Sequence, residues 1–149
     1  MAFQTRITRA RFVLGPFTSE DMETIGNVLV DKISTRIGKG MNVNDAPAKP
    51  LKPGRNGHKG YPDYKAARGL QPIRDWFWTG RTMRSLKVKS ASENRAVIGF
   101  VDPRADRVAH ANNRREKQFG ISPTDRAALN AVVLAVLRKV RAIRLKKAA

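Results

Sequence analysis

Two histidines, His58 and His110, and 12 carboxylates are the side chains from which metal or acid–base chemistry would have to be built in this 149-residue chain. Their spacing does not suit either. A zinc-protease helix needs His-Glu-x-x-His on one face, and a magnesium-dependent nuclease needs clustered carboxylates or a His-based site. Here the acids are scattered, most of them in the first turns of predicted helices or beside arginine. The pattern Gly-x-Ser-x-Gly is absent. Cysteine is absent as well, so there is no thiol nucleophile, thiolate metal site or disulfide. The run His110-Ala111-Asn112-Asn113 is superficially like small nuclease motifs but lacks a second histidine at a workable distance. Gly54-Arg55-Asn56-Gly57-His58-Lys59-Gly60 invites comparison with a phosphate cradle. However, the G-x-x-x-x-G-K-[ST] pattern is missing and no apolar strand leads into it. The expectation is a chain with no catalytic, cofactor-binding or metal-binding residues.

Charge points to a partner instead. Thirty Lys and Arg against 12 Asp and Glu leave a net +18, which biases encounters toward nucleic acid or an acidic protein surface. Six of these cations fall in residues 138–149. No acid follows Asp125, while Arg138, Lys139, Arg141, Arg144, Lys146 and Lys147 crowd the end of a predicted helix. Cations suit a helix C-terminus, but six exceed what capping needs. Three readings stay open for them: contact with nucleic-acid phosphates, docking on an acidic protein face, or a solvated, frayed end.

The elements that position these groups fit a single domain spanning 1–149. Residues 1–17 read as an imperfect amphipathic strand stopped by Gly15-Pro16. Thr18 and Asp21 cap a helix whose Met22, Ile25, Leu29 and Ile33 form one apolar stripe, ended by Gly38 and Gly40. Residues 38–72 then lose all periodicity and hold six glycines, five prolines and seven Lys or Arg. A loop of that length is usually functional or disordered. Ile73, Trp76, Phe77 and Trp78 gather aromatic mass, to fill a core or to stack on bases. Leu86 and Val88 alternate with Lys87 and Lys89 as a half-buried strand. A polar link, Ser90 to Asn94, leads to an apolar strand, Ala96 to Val101, expected to be buried on both faces. A short helix runs from about Ala105 to Lys117. Ser122, Pro123 and Asp125 open a last helix reaching about Leu145, with Leu129, Val132, Val133, Val136, Leu137, Val140 and Ile143 on its apolar face. The predicted fold is α+β: a small antiparallel sheet of two or three strands packed against two longer helices, with a long basic Gly/Pro-rich loop or arm. No apolar run is long enough to cross a membrane and no secretory signal is present, so cytoplasmic synthesis is expected.

The order of these segments resembles the virion-morphogenesis and tail-completion families of tailed bacteriophages. The likeness is carried by Trp78-Thr79-Gly80-Arg81-Thr82-Met83-Arg84-Ser85-Leu86, by Val97-Ile98-Gly99-Phe100, and by Gln118-Phe119-Gly120-Ile121-Ser122-Pro123. Its core is Thr79, Gly80, Ser85, Leu86, Phe119, Gly120 and Ser122. It covers about residues 18–140 and departs at Ala109-His110-Ala111-Asn112-Asn113, where many relatives carry His followed closely by Gly. The resemblance implies a non-enzymatic virion protein of the neck, made in the host cytoplasm. It also implies a homo-oligomeric ring, commonly sixfold, contacting the connector, the tail tube and, in the channel, genomic DNA. In such a ring residues 41–72 would form an intersubunit arm, with Lys49, Lys52, Arg55, His58, Lys59, Tyr61 and Tyr64 as its contacts. The alternative is a sequence-independent nucleic-acid-binding protein, although zinc ligands, an RNP signature and a helix-turn-helix are missing. A small enzyme from a mobile element is a third reading.

Overall fold

The computed structural model describes residues 17–76 and 79–148, without the side chains of residues 140, 141 and 143–148. The strand expected over residues 1–17 lies outside them but for Phe17, which is buried.

Helix α1 (Ser19–Gly38) starts where its cap predicts. Thr18 Oγ1 accepts from the Asp21 N–H at 3.1 Å, and Asp21 Oδ2 accepts from the Thr18 N–H at 3.0 Å. This reciprocal box satisfies two donors that a helix start otherwise leaves orphaned. The stripe Met22, Ile25, Leu29, Ile33 and Ile37 is buried.

Strands β1 (Leu86–Ser92) and β2 (Arg95–Phe100) form a two-stranded antiparallel hairpin, with Leu86 opposite Phe100 and Ser92 opposite Arg95. The register shifts between Val88 and Ser90, so Lys89 is an extra residue in β1. Strict alternation after Leu86 and Val88 would turn Ser90 inward. The bulge advances the phase by one and brings Ala91 in instead. Leu86, Val88 and Ala91 therefore share a face with Phe100, Ile98 and Ala96. The five-residue link expected here contracts to Glu93 and Asn94, because Ser90 to Ser92 pair with Val97 to Arg95. The expectation that β2 is buried on both faces fails. Only Gly99 and Phe100 are buried in it, and Val101 beyond it is 52% exposed. Helix α1 covers one face, and the other carries Lys87, Lys89 and Arg95 into solvent.

Gly26 sets how closely α1 approaches that face. A Cβ placed there would lie 2.7 Å from Val88 Cγ2 and 3.3 Å from the Ala96 methyl. Three further helices complete the domain behind the hairpin: α3 (Arg81–Arg84), α4 (Pro103–Asn113) and α5 (Pro123–Ala148). A short helix, α2 (Tyr61–Ala66), lies within the long loop, where no helical period is legible. The architecture is α+β, with α1 and α5 as the two longer helices. Phe119 sits edge-on to two rings, Phe100 at 4.9 Å and Trp76 at 4.8 Å between centroids. Each such contact adds about 0.5–1.5 kcal/mol beyond area burial. No helix among the described residues is long and apolar enough to cross a membrane.

The two long helices are joined by a buried ion pair. Arg36, in the last turn of α1, donates from Nε to Asp125 Oδ2 at 2.9 Å, and both side chains are nearly inaccessible. Arg36 Nη2 also donates to the Gly120 carbonyl at 2.8 Å, and Nη1 reaches the Met41 carbonyl at 3.5 Å. Asp125 is itself part of a cap. Its Oδ2 accepts from the Ser122 N–H at 3.1 Å, while Ser122 Oγ accepts from the Asp125 N–H at 3.1 Å. One guanidinium thus fixes the exit of α1, the Gly120 turn and the start of α5.

Two changes check this frame by urea denaturation. Gly26→Ala would stabilise an exposed helix by about 1 kcal/mol, but the contact with Val88 reverses the sign and costs roughly 1–3 kcal/mol. Arg36→Met leaves Asp125 buried without its cation and costs about 3–5 kcal/mol. A neutral result for either would remove that contact from the account.

Candidate functional site

The segment after α1 folds back on the body. Asn42 Oδ1 accepts from the Asn44 and Ala46 N–H groups at 2.9 and 3.3 Å, closing a turn bridged by Met41 and Pro47. Two bonds latch this turn to the connection between α4 and α5. The Val43 N–H donates to the Lys117 carbonyl at 2.9 Å, and Asn42 Nδ2 donates to Glu116 Oε1 at 3.2 Å. Asp45 Oδ2 then accepts from the Thr124 N–H at 2.9 Å. The Ser122 hydroxyl and this N–H hold the Asp45 carboxyl below its ordinary pKa.

From Pro47 the chain runs outward, with the Lys49 carbonyl held by Arg74 Nε at 3.1 Å. The tip doubles on itself closely enough that a Cβ on Gly54 would meet the His58 carbonyl at 1.7 Å. Helix α2 returns the chain. Its Asp63 Oδ2 accepts from the Gly60 N–H at 2.6 Å. On its inner side Lys65, only 1% exposed, donates to the Ile73 carbonyl at 2.8 Å and to Asp75 Oδ1. Six residues are too few to hold a helix unaided, and this buried pair is what anchors them.

Trp76 closes the inner wall. It adopts φ +63°, a region costly for a bulky side chain unless its surroundings over-determine it. They do: its ring packs on Phe119, and Nε1 donates to Gln118 Oε1 at 2.6 Å. Fully buried Gln118 in turn donates from Nε2 to the Arg74 carbonyl at 2.7 Å. Asn113 Oδ1 accepts from the Gln118 and Phe119 N–H groups at 2.8 and 3.0 Å.

Between this wall, the outgoing loop and α4 lies a groove of about 840 Å³. Its floor is apolar, from Leu51, Ile73, Trp76 and Val108, with the Tyr61 ring to one side. Lys49, Lys52, Arg74 and Arg115 line it along with Lys65, against the single carboxylate of Glu116. Lys65 is neutralised by Asp75 and Glu116 is buried on Asn42, whereas Lys52 and Arg115 are exposed. Partial burial raises the pKa of the Tyr61 hydroxyl although the residue is 46% exposed, and the Asp75 carboxylate adds to the rise.

The residues singled out in the sequence divide into three groups. Lys49, Lys52 and Tyr61 line the groove, whereas Arg55, His58, Lys59 and Tyr64 are exposed on the tip and on α2. Arg138 and Lys139 are exposed on α5; the side chains of Arg141, Arg144, Lys146 and Lys147, on the same helix, lie outside the described residues. The motif residues serve the frame. Gly80 precedes α3 at φ +71°, and the Thr79 carbonyl accepts from Arg84 at 2.9 Å. Buried Ser85 accepts the Asp102 N–H on Oγ at 2.8 Å, and Leu86, Phe119 and Ser122 are buried. Asp102 caps α4 and pairs with Arg81, which holds its carboxyl below the ordinary range. Gln118 and Trp76 were legible only as a motif neighbour and aromatic mass, and Arg115 carried no signal in the sequence. Their convergence depends on contacts across more than forty residues of chain.

Among the described residues, no group of three His, Asp or Glu stands close enough to hold a metal ion. No protein-family model, characterised protein or solved structure matches the chain.

Absorbance titration at 295 nm tests the groove wall. In the difference between the native chain and Tyr61→Phe, the missing tyrosinate step falls above the ordinary value of about 10. The folded form binds this proton more tightly than the unfolded one. The stability it contributes is therefore complete below pH 10 and is lost as pH rises through the folded value. A step at or below 10 would contradict the burial.

Proposed function

We propose that this chain is a structural protein of a phage head–tail junction, one subunit of a ring that joins the connector to the tail tube. The observation that carries the reading is the role of the motif residues. The residues that bear the family resemblance are those that build the α3–β1 corner and the start of α5. A shared frame is what a ring-forming family would keep while its surfaces change to suit different neighbours.

In this reading the ring is a closed homo-oligomer, commonly sixfold, and the segment 41–72 reaches an adjacent subunit. Its exposed tip and α2 offer Arg55, His58, Lys59 and Tyr64 for that contact. The end of α5 carries the second surface, Arg138 and Lys139 continuing into Arg141, Arg144, Lys146 and Lys147. It faces an acidic neighbouring ring or DNA phosphates in the channel. The net charge of +18 equally favours the alternative, a free protein that binds nucleic acid without reading sequence.

Native mass spectrometry of the purified chain, alone and with tailless capsids or isolated tails, separates the two. The neck reading expects discrete rings, or stable attachment to particles without added nucleic acid. Replacing Arg138, Lys139, Arg141 and Arg144 together by Gln weakens attachment roughly tenfold, about 1.4 kcal/mol. Arg55→Gln with Lys59→Gln shifts rings toward monomers. A monomer that ignores both particles but binds DNA with a steep salt dependence establishes the alternative. Removing 41–72 whole is a poorer test, because it also removes buried Lys65 and the Met41 carbonyl that Arg36 grips.

A further inference from the structure

We infer that the groove beside α4 binds a short acidic segment of a partner protein, seating an apolar side chain of that segment on its floor. This surface is separate from the exposed tip and from the end of α5, and the inference does not require a ring.

The chemistry of the lining selects this occupant. Leu51, Ile73 and Val108 supply the aliphatic part of the lining, and Val108 is 40% exposed although apolar. Such a surface gains from covering by an apolar side chain. Cations stand around it. Lys52 and Arg115 are exposed and form no ion pair among the described residues. Lys49 reaches Glu116 only at 3.9 Å while 76% exposed, a pairing weak enough to exchange for a closer carboxylate. Glu116 itself is buried and accepts from Asn42. The site therefore presents a positive rim around an apolar floor, the complement of a peptide with Leu or Phe flanked by Asp and Glu.

A nucleic-acid strand fits less well. Binding without sequence preference needs a run of cations along the backbone and open aromatic faces for the bases. Trp76 has its ring against Phe119 and its N–H on Gln118, so it is already engaged. Tyr61 is then the one other aromatic ring in the lining, too few for successive bases to stack, and a carboxylate stands in the wall. The floor is also preformed, since Lys65, Asp75 and Gln118 hold Ile73, Arg74 and Trp76 by buried and part-buried bonds. Little ordering remains to oppose binding.

The test is fluorescence anisotropy at low salt with a fluorescein-labelled octapeptide, Asp-Glu-Glu-Leu-Phe-Asp-Glu-Asp. Controls are the same peptide with Ser for Leu and Phe, and an oligothymidine of equal charge. The full chain should bind the apolar-bearing peptide at least tenfold more tightly than the Ser peptide. Lys52→Gln with Arg115→Gln should cost tenfold or more, as should Val108→Asp, which sets a carboxylate in the groove. Lys87→Gln with Arg95→Gln, on the solvent face of the hairpin, should change the affinity less than twofold. All these positions are exposed, and unchanged circular dichroism confirms that the variants fold. Three results overturn the proposal: no peptide binding, binding indifferent to the groove variants, or oligothymidine bound more tightly and lost in the same variants. Particle attachment is a separate readout, so the neck reading and this site can fail independently.

Discussion

The Arg36–Asp125 pair is the constraint on which the other elements depend. A buried ion pair is a weak source of net stability, because desolvation offsets most of its attraction. Its worth here is positional. One planar donor meets a carboxylate and two carbonyls from three separate stretches, and the carboxylate simultaneously caps α5. An apolar pair of similar volume would fill the space but would leave those carbonyls and the cap unsatisfied. The pair therefore sets how α1 and α5 cross, and with that where the hairpin and the Phe119 cluster must lie. It also sets where the loop after α1 begins, and so where the groove opens.

Local signals in the sequence were informative where three or four residues decide a structure. Thr18 with Asp21, and Ser122 with Asp125, mark both long helices because a capping box is complete within one turn. Apolar steps then show which face each helix buries. The hairpin is legible in kind but not in extent. A bulge at Lys89 changes the phase of β1, so Ser90 to Ser92 read as a link although they are paired. Helix α2 is not legible, since its support comes from Asp75 and the Ile73 carbonyl outside it. Arg36 reads as one more cation at a helix end. Its partner lies 89 residues away, and no spacing rule reaches that far. The groove is hidden for the same reason. Its walls come from the outgoing loop, the stretch before α3 and the end of α4, none of which is distinctive alone.

Polar groups in this molecule follow two regimes. Inside, every buried side-chain nitrogen and oxygen among the described residues has a partner, Lys65, Gln118 and Arg36 included. Outside, most cations among the described residues form no ion pair; Lys49 with Glu116 and Arg81 with Asp102 are two that do. The frame is thus electrostatically closed, whereas the periphery is left positive on several faces at once. Repulsion between these faces fades over about 8–10 Å at ordinary ionic strength. The excess charge is therefore tolerated by the folded chain and remains available to whatever anionic surface it meets.

The hairpin carries a consequence of its own. A two-stranded sheet is all edge: among the described residues, each strand has one side whose N–H and carbonyl groups pair with nothing in the sheet. Such sides recruit other strands indiscriminately unless something spoils the match. Here Lys87 and Lys89 project from β1 and Arg95 from β2 on the solvent face, and the bulge interrupts the regular repeat of donors and acceptors. A stray strand would have to bury or bend around a lysine and accommodate the kink. The residue that keeps the apolar face in phase thus also guards the rim against amyloid-like stacking, so losing the bulge would expose the protein to misassembly even if its core survived.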